Sequence, residues 1–330
     1  MNRRDALRGI AATGLLAFAQ SAGTGSAFAD PQPFPSKALT MLIPTAPGGT
    51  GDIIGRIIRD KMEQDLGQPV VANNRAGANG TIGTAAVAKS PADGYTFLLA
   101  SSATAGAASL YKNLAYDTVK DLEPIASIAV TPYFLFATAS FPAKNVKELI
   151  ALAKAKPGGI AYGSTGPGAF THLAAELFAH KTGTQLLHVP YGGTGQAMVD
   201  VVGGQVQIIF SGLPAALPFV QSGKLKILGA ATLERSKLMP EVPTIAEQGV
   251  AGFEASAWFG LIGVTGTPQE RIDRIALSVK RALESPEVEK RLSDLGAIQM
   301  YMGPKQFRAF FDADVESSAA IVKLSGATAN

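Results

Sequence analysis

The fold is decided near the amino terminus, where residues 38–66 read ALTMLIPTAPGGTGDIIGRIIRDKMEQDL. The apolar run at 38–44 predicts a strand. Residues 52–66 predict a helix, because isoleucines and a methionine recur at helical spacing. Residues 47–51 between them predict a glycine-rich turn, with Asp52 as a candidate N-cap of the helix. This stretch therefore predicts a strand, a tight turn and an amphipathic helix in succession.

The same alternation of strands and helices continues along the chain. Further strand-like runs lie at 69–72, 96–100, 125–130, 134–137, 160–162, 186–189, 206–210, 225–230 and 259–264, and the clearest helical patterns at 145–155, 171–181, 197–202, 268–285 and 304–323. Alternation of this kind predicts an α/β fold of parallel βαβ units, with open sheets covered by helices on both faces. A chain of this length can bury one large core or two medium ones.

Three of the predicted strand-to-helix turns consist mainly of glycine. Gly48-Gly49-Thr50-Gly51 is repeated as Gly192-Gly193-Thr194-Gly195, and a third turn reads Gly163-Ser164-Thr165-Gly166-Pro167-Gly168. In α/β sheets the carboxyl ends of strands face the binding crevice, and glycine lets backbone N–H groups approach an anion at a helix N-terminus. Glycine also simply forms tight turns, but three such turns together favour a cleft that receives anionic oxygen atoms.

The amino terminus predicts export. Residues 1–29 combine a basic start, an apolar run of about ten residues and a small-residue end, which is the layout of a secretory signal. The adjacent Arg3-Arg4 pair fits the twin-arginine route, and ordinary export signals also carry such pairs. We therefore expect cleavage near Ala29-Asp30 and a periplasmic protein.

Composition excludes several classes of function. The chain has 29 Lys+Arg and 26 Asp+Glu, and removal of residues 1–29 leaves 26 basic and 25 acidic residues, so the sequence predicts no nucleic-acid partner. The absence of cysteine excludes disulfides and thiolate metal sites. His172, His180 and His188 are eight residues apart and form no metal-binding motif, so we expect neither a metal nor a cofactor.

Several short motifs, in order along the chain, resemble the Bug family, the TctC-like periplasmic substrate-binding proteins of tripartite tricarboxylate transporters. They include PGGTGDIIGR at 47–56, VANNRAGANG at 71–80, SPADGY at 90–95, YGSTG at 162–166, GGQV at 203–206 and WFG at 258–260. Each motif alone is weak, whereas their ordered combination is specific and covers nearly the whole mature chain.

The resemblance implies a two-lobed periplasmic-binding-protein fold of type II, the Venus-flytrap architecture, in which each lobe is a mostly parallel sheet flanked by helices. The family plan places lobe one at residues 36–136 and 256–330 and lobe two at 137–255. The chain would then cross the hinge near 133–140 and 255–259. The resemblance also implies a monomer that docks transiently on membrane transporter subunits and binds a small organic anion without converting it.

The family's binding residues can be transferred position by position. The resemblance implies ligand contacts from the first turn, from the end of a central strand, from the third glycine turn with its helix, and from two further positions. These residues are Thr45, Pro47, Gly48, Gly49, Gly51 and Asp52; Ser101, Ser102 and Ala103; Ser164, Thr165, Gly166, Gly168 and His172; and Tyr191 and Ser211. Asp52 and His172 also have ordinary structural interpretations, as a helix cap and as a core histidine.

Departures from the family pattern bear on the ligand. Ala169 and Phe170 stand where members commonly carry small hydroxyl residues, Gly192 where a basic residue is frequent, and Ser211 where an acidic residue suits an amino-acid ligand. A mono- or dicarboxylate, including one with an apolar or aromatic body, therefore fits better than an amino acid.

An enzymatic alternative remains at this point. Glycines at 49, 51 and 55 follow a strand, and Arg75 follows the next, so a twin-arginine-exported NAD(P)-dependent oxidoreductase is the second hypothesis. The third turn has the wrong spacing for the nucleophile elbow of a serine hydrolase. No lysine follows a glycine loop as in a phosphate-binding loop.

Overall fold

The computed structural model of the protein describes residues 33–325, so the export signal predicted at residues 1–29 lies outside them. The strands are β1 (Leu39–Ile43), β2 (Val70–Asn74), β3 (Thr96–Ser101), β4 (Leu122–Thr138), β5 (Ala161–Ser164), β6 (Leu187–Pro190), β7 (Ile208–Gly212), β8 (Leu225–Ala230), β9 (Ser256–Val264) and β10 (Ile298–Gln299). The helices are α1 (Thr50–Leu66), α2 (Thr81–Ala88), α3 (Ser102–Leu110), α4 (Val146–Ala155), α5 (Phe170–Thr182), α6 (Thr194–Val202), α7 (Leu213–Gln221), α8 (Gln269–Leu283), α9 (Pro286–Asp294) and α10 (Pro304–Ser325).

Strand β4 joins the two parts of the sheet. Its first part pairs antiparallel with β9 and β10, and its second part pairs antiparallel with β7 and β8. The prediction of two separate strands at 125–130 and 134–137 was wrong, because the segment between them continues as strand. Pro132 is tolerated within β4 although it has no N–H to donate. The N–H of the next residue, Tyr133, donates to Ala255 O, so the nitrogen of Pro132 faces the other edge of β4. On that edge Pro132 lies between the residues that pair with β10 and those that pair with β7.

The outer strands follow the predicted parallel βαβ pattern. β1 pairs in parallel with both β2 and β3, and β5 pairs in parallel with both β6 and β7. The part of β4 around Pro132 is here called the crossing, because the partners of β4 change there from β9 and β10 to β7 and β8. The strands nearest the crossing differ from the parallel pattern, because β9 pairs antiparallel with both β3 and β4. The result is a sheet of order β2-β1-β3-β9-β4-β7-β5-β6.

Apolar clusters cover both faces of the sheet on either side of the crossing. In β3, Phe97 and Leu99 join a cluster with α1 and α8, whereas Leu98 and Ala100 join one with Phe307 of α10. Strand β4 alternates in the same way beyond the crossing, where consecutive side chains belong to different clusters. Such two-sided burial is typical of sheets sandwiched between helices. Among the helices at residues 33–325, none is long and apolar enough to cross a bilayer.

Helix α1 begins two residues earlier than the sequence suggested. Its N-cap is Gly49, with φ −71° and ψ 160°, and its first residue is Thr50. The prediction that Asp52 caps the helix was wrong, since Asp52 lies inside the first turn. The positive φ of this turn belongs to Gly48, at 81°, a conformation that favours glycine.

Candidate ligand-binding site

Two cavities lie beside the crossing strands, on opposite faces of β9. The first, here called the Pro47 cavity, has a volume of about 470 Å³ and is lined by Ala257 and Phe259 of β9. The second, here called the Trp258 cavity, has a volume of about 480 Å³ and is lined by Ser256 and Trp258. Alternate residues of a strand point to opposite faces, which explains the division. Both volumes suit small-molecule ligands.

The predicted site residues divide between these cavities and their supports. Pro47, Gly48, Gly49 and Ser211 line the Pro47 cavity. Ser102, Ala103 and Gly168 line the Trp258 cavity. The remaining nine line neither of the two cavities: Thr45, Gly51, Asp52, Ser101, Ser164, Thr165, Gly166, His172 and Tyr191.

Three helices begin at the Pro47 cavity. The cavity is lined by the N-cap Gly49 and first residue Thr50 of α1, by Thr194 at the start of α6, and by Gly212, the N-cap of α7. In none of these three helices does the N-cap residue provide a side-chain hydrogen bond. Their positive ends therefore point toward one space, which is favourable for an anion.

The first glycine turn is held by Asp52. Its carboxylate accepts hydrogen bonds from the Gly48 N–H, from Arg56 Nε and from Asn74 Nδ2, each at 2.9 Å. Burial alone would raise the pKa of the Asp52 carboxyl, but these hydrogen bonds and the Arg56 charge lower it below its ordinary value. Asp52 is therefore an ionised carboxylate that orients the turn without lining the Pro47 cavity.

Side chains of the third glycine turn and of the first turn of α5 accept hydrogen bonds from the amides of the third glycine turn. The N–H of Thr165 donates to Thr171 Oγ1 at 2.9 Å, that of Gly166 to Ser164 Oγ at 3.1 Å, and that of Gly168 to His172 Nδ1 at 2.9 Å. These donors are engaged in the structure. The turns before α1 and α6 each have an amide engaged in a similar way, because the Gly48 N–H donates to Asp52 and the Gly192 N–H donates to Gln196. The start of α3 is likewise closed by a capping box between Ser101 and Thr104.

A stack of aromatic rings supports the third turn. His188 stacks on His172 with ring centroids 4.1 Å apart and on Tyr162 at 5.0 Å, and Ser164 Oγ lies 2.6 Å from His188 Nε2. The Tyr162 hydroxyl donates to Glu176. Burial lowers the pKa of His172 to about 4; burial and the neighbouring His172 lower that of His188 to about 4. Both histidines are therefore neutral near pH 7, and His172 acts as a core residue that fixes the turn.

Tyr191 has a similar supporting role. Its hydroxyl donates to Asp200 Oδ2 at 2.7 Å across the start of α6. Burial and this acceptor raise the pKa of Tyr191 to about 12. The N–H of Gly192, the next residue, donates to Gln196 Oε1 at 3.2 Å. The second glycine turn is thereby tied to the helix that follows it.

The site residues predicted from the sequence leave out most of the hydroxyl-bearing residues that line the Pro47 cavity. Thr131 and Tyr133 reach it from β4, and Thr194 and Gly195 reach it from the second glycine turn. Thr194 and Gly195 could have been predicted, because the second glycine turn repeats the sequence of the first. No sequence signal identified Thr131. Whether its side chain reaches the cavity depends on the face of β4 that it occupies, and the sequence did not predict β4 as one continuous strand.

All residues that line the Pro47 cavity are uncharged. Within residues 33–325 there is also no group of three or more His, Asp or Glu side chains arranged to hold a metal ion. An anion in this cavity would meet hydroxyls, backbone amides and helix N-termini, which can solvate a carboxylate without a buried counter-charge.

Residues 54–327 match the model of the tripartite tricarboxylate transporter family receptor, TctC. The chain belongs to this family. Protein BugT of Bordetella pertussis is 37% identical over 296 residues, which cover 89% of this chain and 91% of BugT. The Bug-family resemblance of the motifs is thus confirmed.

Solved structures agree with the family assignment. Rpa4515 of R. palustris with adipate is 32% identical with a TM-score of 0.81, covering 89% of this chain and 99% of that one. MatC from Rhodopseudomonas palustris with bound malate is 30% identical with a TM-score of 0.77, covering 88% and 100%. The predicted two-lobed periplasmic-binding-protein fold is confirmed.

The TctC family consists of solute-binding receptors, so this chain is a receptor and not an enzyme. The oxidoreductase hypothesis is therefore rejected. Gly55 of its supposed fingerprint serves packing instead, because a Cβ there would lie 2.9 Å from Leu99 Cδ2 and 3.1 Å from Ile43 Cδ1. This glycine lets α1 lie close against the sheet.

Proposed function

We propose that this TctC-family receptor captures a small organic carboxylate in the periplasm, for uptake by a tripartite tricarboxylate-type transporter. The ligand is a mono- or dicarboxylate, and the receptor delivers it by transient docking on the membrane subunits. The mature protein begins near Asp30 and acts as a monomer.

One observation carries the proposal: three helix N-termini without side-chain caps converge on the uncharged Pro47 cavity. A cation would be repelled by these positive helix ends, and a neutral solute would gain little from them. A carboxylate gains from the dipoles and from hydrogen bonds to hydroxyls such as those of Thr194 and Ser211. The adipate and malate in two structures similar to this one are consistent with that chemistry.

The sixteen predicted residues take different parts in this proposal. Those at the Pro47 cavity contact the carboxylate, and those of the third turn support the start of α5 beside the Trp258 cavity. The lobes are residues 36–136 with 256–330, and residues 137–255, joined where β4 and the segment that leads into β9 pass between them. A ligand that touches both lobes favours their closure only through its extra affinity for the closed state.

The proposal is tested by thermal-shift screening of the mature protein against a carboxylate panel that includes adipate and malate, with the corresponding amides as controls. A ligand that binds only the folded state raises the unfolding midpoint. We expect a rise with at least one carboxylate and none with its amide. Equal shifts with acid and amide, or no shift with any carboxylate at millimolar concentration, would refute the proposal.

A further inference from the structure

We infer that Phe170 and Tyr133 form a wall that separates the two cavities and limits the length of the ligand. The inference rests on the proposed function, because it concerns the same carboxylate. It identifies Phe170 as the residue that restricts the receptor to short carboxylates.

The two rings connect the lining of one cavity to the lining of the other. Tyr133 lines the Pro47 cavity, Phe170 lines the Trp258 cavity, and their centroids are 4.9 Å apart at an interplanar angle of 86°. This is an edge-to-face contact, the arrangement that aromatic pairs favour. A chain extending from one cavity toward the other therefore meets a closed pair of rings.

The wall cannot move aside easily. Phe170 is the first residue of α5, and its neighbours Thr171 and His172 both accept hydrogen bonds from amides of the preceding turn. Tyr133 packs against apolar clusters on both sides of the crossing. Both rings are half-buried and packed against apolar clusters, so displacement of either ring would disturb that packing.

Part of the space behind the wall suits an apolar chain, although Lys181, Glu254 and Asp314 also line it. Leu173, Leu177 and Trp258 line the Trp258 cavity together with Phe310. A carboxylate whose head group lies in the Pro47 cavity could extend its methylene chain into this space if the ring of Phe170 were absent. With the ring present, the ligand must end within the first cavity.

The test uses two homologous series, the α,ω-dicarboxylates from succinate through glutarate, adipate and suberate to sebacate, and the matching monocarboxylates. Affinities are measured by titration calorimetry on the mature wild-type protein and on Phe170→Ala and Phe170→Leu. Phe219→Ala is the control, because Phe219 is also a half-buried aromatic residue but lines neither of the two cavities. Phe170→Leu keeps an apolar side chain and guards against failure of the alanine variant to fold.

We expect the wild-type affinity to fall abruptly at one step of a series. In Phe170→Ala that step should move to a longer homologue, with about a tenfold gain for two additional buried methylenes, and Phe170→Leu should lie between. Phe219→Ala should keep the wild-type step. Identical length profiles for wild type and both Phe170 variants, or a smooth rise to sebacate in the wild type, would overturn the wall. Failure of every member of both series to bind any of these proteins would instead overturn the proposed function and, with it, this inference.

Discussion

Thr131 offers a direct test of the packing around the crossing, through the replacement Thr131→Val. Its side chain is only 3% exposed, and its Oγ1 has no hydrogen-bond partner within residues 33–325. Valine has nearly the same shape and is equally suited to a strand. The substitution therefore removes a buried, unpaired hydroxyl while leaving the volume almost unchanged.

The expected gain follows from the cost of such a group. A buried polar group without a partner costs about 1 to 3 kcal/mol, and the slight crowding of a methyl for a hydroxyl offsets part of that. We therefore expect Thr131→Val to raise the free energy of unfolding by about 1 kcal/mol. Thr182→Val is the matched control with the opposite sign, because Thr182 Oγ1 donates to Phe178 O at 2.7 Å and lies 2.8 Å from Thr184 Oγ1.

The assay is urea unfolding of the mature protein followed by circular dichroism. A change in midpoint at constant slope reports stability alone, since the slope follows the surface exposed on unfolding. The reasoning is refuted if Thr131→Val lowers the free energy of unfolding as Thr182→Val does, because the hydroxyl of Thr131 would then have a partner in solution.

Three further predictions concern the site. Gly195→Val should lower the carboxylate affinity measured by calorimetry at least tenfold, because Gly195 lines the Pro47 cavity. The unfolding midpoint should stay near that of wild type, because a Cβ at this position meets no atom within 4 Å. Unchanged affinity would remove the second turn from the site. Gly51→Val should lower both stability and affinity, since its Cβ would lie 3.3 Å from Thr45 Oγ1 and 3.4 Å from Phe259 Cε1, and a fully stable variant would contradict this. The unfolded chain binds protons at its histidines near pH 6.5, whereas the lowered pKa values keep His172 and His188 neutral in the folded protein down to about pH 4. The free energy of unfolding should therefore fall as the pH decreases from 6.5 to 4. In urea unfolding, the free energy of the double variant His172→Asn, His188→Gln should fall less steeply with decreasing pH, and an equal dependence on pH would contradict the assignment.

The alternating pattern of the outer strands could be predicted because local sequence decides it. Strand β1 is a short apolar run, helix α1 has a clear apolar period, and the turn between them contains the glycines that it needs. Helix α3 could not be predicted in the same way. Its sequence SATAGAASL consists of small residues, and it is specified by close packing against α10 and not by an apolar stripe.

The crossing was also beyond local sequence. Pro132 by itself predicts a break in the strand. It is tolerated because β10 pairs with β4 just before Pro132 and β7 pairs with β4 just after it. The same long-range pairing places Thr131 and Tyr133 at the Pro47 cavity. Site residues on glycine turns were therefore accessible from sequence, whereas those on the crossing strands were not.

The central claim is that the Pro47 cavity holds the carboxylate of the ligand, and a crystal structure of the mature protein with a bound carboxylate tests it most directly. We predict that the ligand's carboxylate lies in the Pro47 cavity, against the starts of α1, α6 and α7, with the ligand chemically unchanged. A carboxylate found only in the Trp258 cavity, or only on the outer surface, would contradict the account.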